Sequence, residues 1–202
     1  MSAGHGMHHF RSARDEERRK WQDPEAILTD IGLKLGMTLA DIGCGGGFFA
    51  LPAARIVGEG GRVYGLDISP EAIGALEKMA KRERLRNIVT MAGDAAEVPV
   101  CRACCDVVFF GIDLHDFARP DRVLRNARKA LKADGKLVDV DWKKTGIPFG
   151  PPEEIRFSEE KASQIIQEAG FTITAVRNAG PYHYLVEARV AREVAANPST
   201  DT

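Results

Sequence analysis

The chain has 202 residues, with 28 Lys and Arg against 29 Asp and Glu, a net charge of −1, 44% apolar residues and 28% charged residues. That composition excludes a disordered or fibrous chain, and a chain of this length buries roughly 70% of its unfolded surface without disulfide or metal staples. The near-neutral balance gives no general pull toward nucleic acid or anionic membrane, and no apolar run reaches the length of a membrane span.

Residues 1–10 are rich in Gly and His and carry no apolar stretch, so they do not read as a secretory signal, and the expected compartment is the cytoplasm. His5, His8 and His9 are a weak metal candidate, because they precede the first credible helix cap. Ser12, with Asp15 three residues on, predicts a capped helix running to about Trp21. Asp23-Pro24-Glu25 predicts a second start, ending at Gly32 or Gly36. Residues 1–30 thus form an N-terminal helical appendage in the position of a lid, ahead of a main domain over 31–190 and a polar tail over 191–202.

After Gly36 the period shortens. Thr38–Ile42 reads as a buried strand, residues 43–47 as a glycine-rich turn, and 48–57 as a helix in which Pro52 removes one backbone hydrogen bond, to be absorbed by a kink or a late start. Strand 62–66 ends at Asp67, and Ser69-Pro70-Glu71 caps a helix with Ile73, Leu76 and Met79 on one face. Strands 87–91 and 106–111 follow, then a helix opened by Pro120, a turn closed by Gly135 and a strand over 136–140. Ser158 caps a helix ending at Gly170. Strands 171–176 and His183–Val190, joined by a short turn, must be antiparallel. Alternating strands and helices imply a doubly wound, mostly parallel sheet, an α/β fold.

The informative stretch is Asp41-Ile42-Gly43-Cys44-Gly45-Gly46-Gly47, where a strand feeds a glycine turn that opens a helix. Glycines let a ligand approach the backbone, and a carboxylate at the end of the next strand, Asp67, suits the hydroxyls of a ribose. Two nucleoside ligands fit. Gly45, Gly47 and Ala50 match a dinucleotide fingerprint, which would make an NAD(P)-dependent oxidoreductase. Asp41 before Gly43, Gly45 and Gly47 instead suits a cationic nucleoside, since a negative charge there attracts it.

On these residues, together with Tyr64-Gly65-Leu66-Asp67, Gly93-Asp94-Ala95, Asp106-Val107-Val108-Phe109-Phe110-Gly111 and Leu131-Lys132-Ala133-Asp134-Gly135-Lys136-Leu137, the chain resembles the class I S-adenosylmethionine-dependent methyltransferases. The similarity is to the broad group that includes the ubiquinone/menaquinone C-methyltransferases, and it covers roughly residues 20 to 188. It implies a Rossmann-like, seven-stranded sheet of order 3-2-1-4-5-7-6 with strand 7 antiparallel, and S-adenosyl-L-methionine as cofactor. It further implies that Asp41, Gly43, Cys44, Gly45 and Gly47 form the cofactor loop, that Asp67 holds the ribose with Ile68 next to it among the cofactor-binding residues, that Gly93, Asp94 and Ala95 meet the adenine, and that Phe110 and Gly111 end the strand facing the methyl group.

Methyl transfer from a sulfonium needs alignment and exclusion of water, and a base only where the acceptor keeps its proton at neutral pH. Asp113, His115 and Asp116, beyond the fourth strand, are the candidates for that base, with simple packing or a cofactor contact from the loop as the competing role for His115. Trp142, Lys143 and Arg156 would either contact an acceptor or anchor the long loop that carries Gly146, Pro148, Gly150, Pro151 and Pro152. Tyr182, His183 and Tyr184 are expected in the core or at a sheet edge. Cys101, Cys104 and Cys105 lack a fourth ligand for zinc, and all four cysteines, Cys44 included, are expected as free thiols, with holding a soft metalloid acceptor as the lesser reading. The acceptor is expected to be a small molecule, with no nucleic-acid partner; an exposed sheet edge or the N-terminal helix would support a homodimer. A cofactor-binding scaffold without turnover is the non-enzymatic alternative.

Overall fold

The computed structural model describes residues 13–144, 146–147 and 149–191. In chain order the elements are α1 (Ala13–Arg19), α2 (Pro24–Asp30), β1 (Thr38–Ile42), α3 (Ala50–Val57), β2 (Arg62–Asp67), α4 (Pro70–Arg82) and β3 (Ile88–Ala92). They continue with β4 (Cys105–Gly111), a single 3-10 turn (Leu114–Asp116), α5 (Pro120–Ala130), β5 (Leu131–Trp142), α6 (Glu159–Glu168), β6 (Phe171–Ala179) and β7 (His183–Val190). The expected Ser12 cap, the three N-terminal histidines and the tail from 192 lie outside the described residues.

Local chemistry sets these starts. Asp23 Oδ1 accepts from Ala26 N at 3.0 Å, Ser69 Oγ from Ala72 N at 3.1 Å and Ser158 Oγ from Lys161 N at 3.2 Å, each satisfying an otherwise unpaired first-turn donor. Gly32 and Gly170, at φ 76° and 91°, carry the chain out of α2 and α6 in the left-handed conformation. One sheet runs β3-β2-β1-β4-β5-β7-β6, parallel except for β7, which is antiparallel to β5 and β6, as the resemblance implied.

Period-two alternation divides the core into two faces. Ala40, Ile42 and Phe110 pack with Val123, Leu124 and Ile166 of α5 and α6, while Leu39 and Phe109 pack with Ala53, Val57, Ile73 and Leu76 of α3 and α4. Leu28 of α2 is fully buried in the second face, so α2 is part of the core and not a loose appendage.

Three expectations are corrected. The helix after the glycine turn begins at Ala50, not Phe48, which puts Pro52 in the first turn, where no helical donor is needed. β5 begins at Leu131, not Lys136. Gly135 lies inside it and is required by close approach, since an added Cβ would meet the Cys105 carbonyl at 2.8 Å. The cysteines are not all free: Cys101 and Cys104 are joined, while Cys44 and Cys105 are buried thiols.

Candidate active site

The carboxyl ends of β1 and β4 diverge to opposite faces of the sheet connections and leave a cleft of about 1110 Å³. Asp41, Gly43, Cys44, Gly45, Gly47, Gly111 and His115 line it, joined by Arg18 and Trp21 from the N-terminal segment. The glycine turn is fastened to β2. Gly43 N and Cys44 N both donate to Leu66 O, at 2.8 and 3.1 Å, and Gly45 N donates to Asp67 Oδ2 at 2.8 Å. Gly43 (φ 75°) and Gly47 (φ 96°) are left-handed, and an added Cβ would strike Asp113 Oδ2 at 1.9 Å or Leu76 Cδ1 at 2.6 Å. At Gly45 and Gly46 the same atom would meet nothing within 4 Å, so the backbone there borders open space.

Asp41 is 2% exposed, and its Oδ2 has no protein partner. Burial raises its carboxyl to about 7, with Arg18 opposing the rise and Asp67 adding to it. Asp67 keeps its other oxygen on Ser69 N at 2.8 Å. Asp67, Ile68 (73% exposed), Gly93, Asp94 and Ala95 stand at the ends of β2 and β3, beside the cleft and not on its wall. Asp94 Oδ1 accepts from Ala96 N at 2.8 Å and Oδ2 from Arg119 at 3.1 Å, and these bonds, the backbone one first, hold its carboxyl low. Phe110 is fully buried against Phe117 and does not reach the cleft.

Past β4 the backbone is strained. Ile112 has φ 68°, an unfavourable value for a β-branched residue, held by its N–H on Val140 O at 2.7 Å. Asp113 follows, its two carboxyl oxygens enclosed and neither of them hydrogen-bonded. Burial, then Asp41, Asp141 and Asp139, push its carboxyl well above the ordinary carboxylate range. His115 differs. Its Nδ1 lies 2.8 Å from both oxygens of Asp141, which also accepts from Trp142 N at 2.7 Å, while Nε2 makes no hydrogen bond, with Asp116 Oδ1 3.3 Å away. Burial lowers the imidazole pKa, but the Asp141 hydrogen bond and charge outweigh it, and the net shift is upward. Asp141 is the partner that sequence reasoning missed. The pair spans 26 positions and two strand ends, and no local motif signals it.

The far wall is aromatic. Trp21 lies 5.2 Å from Trp142, 5.5 Å from Phe149 and 5.5 Å from His183, ring centre to ring centre. His183 is buried; burial, then Arg18 and Lys143, lower its pKa to about 3, so it stays neutral. Arg156 donates to the carbonyls of Pro151 (2.8 Å), Phe149 (3.0 Å) and Lys143 (3.3 Å), and Lys143 donates to Gly180 O and Pro181 O. Of the two roles open to these residues, the structure shows loop anchoring.

A family model described as a methyltransferase domain matches residues 33–175. The demethylmenaquinone methyltransferase of Geobacillus sp. (strain WCH70) is 29% identical over 122 residues, 60% of this chain and 51% of its own length. That of Staphylococcus aureus (strain MRSA252) is 28% identical over 134 residues, 66% of this chain and 54% of its own. The chain spans about half the length of the curated relatives it matches. A SAM dependent methyltransferase from Aquifex aeolicus superposes with a TM-score of 0.81 and 29% identity, covering 89% of this chain and 98% of that one. The [4+2]-cyclase SpnF shares the fold alone, at 17% identity and a TM-score of 0.71, over 93% of this chain and 85% of its own.

Proposed function

We propose that this chain, which belongs to the methyltransferase domain family, moves a methyl group from S-adenosyl-L-methionine to a small-molecule acceptor. The observation that carries the reading is the glycine turn at the end of β1, open at Gly45 and Gly46 and flanked by the buried, half-unpaired carboxyl of Asp41. That donor set suits a ligand with a cationic amino-acid end and a ribose: Asp41 supplies negative charge, residues 43–47 supply backbone, and Asp67 retains lone pairs beyond its two hydrogen bonds. Asp94 and the Ala95 backbone are assigned to the adenine, with Ile68 beside the ribose. When bound, the cofactor supplies an electrophilic methyl on a sulfonium.

The remaining work falls to this chain's residues. Trp21, Trp142 and Phe149 offer flat apolar faces that orient a planar ring and exclude water. Several relatives are named for demethylmenaquinone, and a quinol-like ring is the acceptor we assign here. His115, steered by Asp141, accepts the acceptor's proton at Nε2. The N-terminal segment, with Trp21 and Arg18 on the cleft wall, acts as a lid. No described helix is long and apolar enough to cross a membrane. The reading assigns the chain to the cytoplasm, where such a donor is made, and leaves the exposed sheet edges β3 and β6 as the faces for any homodimer.

Calorimetry with S-adenosylhomocysteine and with NAD tests the cofactor. Binding of the first and not the second is expected, and the reverse overturns the reading. A labelled methyl donor incubated with quinols then tests turnover, and binding without turnover of any acceptor in a cell extract would make the chain a scaffold.

A further inference from the structure

Cys101, Cys104 and Cys105 form the one cluster of three metal-ligating side chains found among the described residues, with all three Sγ atoms within 4.8 Å of one another. They stand at the opposite end of the sheet from the cleft. Cys105 opens β4, and the cleft lies beyond Gly111, about 20 Å along the strand. A role in holding the methyl acceptor is therefore out of reach.

The loop is built to bring the sulfurs together. Ala103 has φ 48°, a conformation its Cβ disfavours, and its N–H and that of Cys104 donate to Lys129 O and Ala130 O at 2.9 Å each. The chain is thereby folded back over Cys105, whose Sγ lies 3.6 Å from that of Cys101 and 3.5 Å from that of Cys104. Cys105 is fully buried, whereas Cys101 and Cys104 are half-buried, so the site has a closed floor and a reachable mouth.

We propose that, with the Cys101–Cys104 bond reduced, these three sulfurs bind one soft, thiophilic ion of three-coordinate preference, of the cuprous or trivalent-metalloid kind. No His, Asp or Glu joins the cluster, which disfavours zinc with its need for a fourth ligand, and sulfur disfavours the hard cations. Reduction takes two electrons and two protons from a low-molecular-weight thiol, which becomes its own disulfide, and a reducing compartment keeps the pair open. Arsenite then exchanges each hydroxide for one sulfur, forming three arsenic–sulfur bonds and releasing three waters without change of oxidation state. Cuprous ion instead displaces thiol protons to solvent. The proposal stands whether or not the cleft transfers methyl groups.

The test reduces the full chain with a phosphine, desalts it without oxygen, and titrates separate arms with arsenite and with cuprous ion buffered by a chelator. Native mass spectrometry and the ultraviolet thiolate charge-transfer band are the readouts. One ion per reduced chain in at least one arm is expected, with none on the oxidised chain, loss of the three-sulfur species in Cys101→Ser and Cys104→Ser, and retention in Cys44→Ser. Alkylation of the unsubstituted chain gives a check free of folding effects: the bound ion protects Cys101, Cys104 and Cys105. Uptake in neither arm, uptake by the oxidised chain, or uptake that survives both serine variants overturns the site.

Discussion

His115 gives Nδ1 to Asp141 and keeps Nε2 unbonded, so the tautomer with its lone pair on Nε2 is the one held in place. For an acceptor that must lose a proton, His115→Ala should lower kcat by about 100- to 10,000-fold. Asp141→Asn should do something different. Asp141 holds the imidazole pKa above its ordinary value, so a base that works only when unprotonated reaches half activity at a higher pH than a free imidazole. The variant should move that midpoint toward acid while kcat falls. An unmoved pH–rate profile would reduce Asp141 to a packing residue. At the turn, steric demand separates two neighbours. Gly43→Ala drives a methyl into Asp113 from a left-handed backbone and should cost about 1–3 kcal/mol or more, read by urea unfolding. Gly46→Ala places its methyl in open space and should leave the unfolding midpoint unchanged while weakening S-adenosylhomocysteine binding. Equal affinity in that variant would mean the ligand does not approach the turn there.

Elements were legible where a local signal exists. Asp23, Ser69 and Ser158 each cap the helix they announce, and β7 begins and ends where its alternation does. The failures share a cause: the deciding partner is remote. α3 starts late because the 43–47 turn must first cross to Leu66 O, and β5 starts early because Leu131 pairs with Cys105, a contact invisible in either segment alone. The candidate site divides the same way. The glycines and Asp41 could be read from one stretch, whereas Asp141 under His115, the strained Ile112 and the Arg156 clamp depend on which strand ends come together. The N-terminal segment is tied down by a similar long-range set. Arg19 pairs with Glu25, which also meets Arg55, and Arg55 meets Glu83. The Arg18 guanidinium lies 3.9 Å over the Phe48 ring. Deleting residues 1–20 should therefore weaken S-adenosylhomocysteine binding and slow turnover with the domain still folded by circular dichroism. Unchanged affinity and turnover would remove the lid.

Across the whole molecule, buried acids converge at the carboxyl ends of β1, β4 and β5, and their titration gives the fold an unusual dependence on pH. Asp41, Asp113 and Asp139 all have carboxyls raised by burial, so the folded chain holds protons that the unfolded chain releases. Their contribution to stability is complete below the ordinary carboxylate range, about 4, and is lost as pH rises through the folded values, which for Asp41 means by about 7. Glu25 and Glu187 work in the opposite sense, their lowered carboxyls adding stability that disappears in acid. Asp139 isolates the first effect, being fully buried with both oxygens unpartnered and remote in role from the glycine turn. Asp139→Asn should raise the melting temperature by more at pH 8 than at pH 5; a gain of equal size at both values would mean packing, not ionisation, is responsible. Asp41 carries the same argument into ligand binding. Burial favours its protonation, Arg18 from α1 opposes it and Asp67 adds to it, leaving the group poised at about 7. A ligand bringing a cationic amino group to that carboxyl should expel its proton. S-adenosylhomocysteine should thus bind more tightly at pH 8 than at pH 6 and release protons, measured by calorimetry in buffers of different ionisation enthalpy, and Asp41→Asn should abolish both the release and the pH slope. Proton uptake on binding, or a slope that survives the substitution, would place the ligand's charged end elsewhere in the cleft.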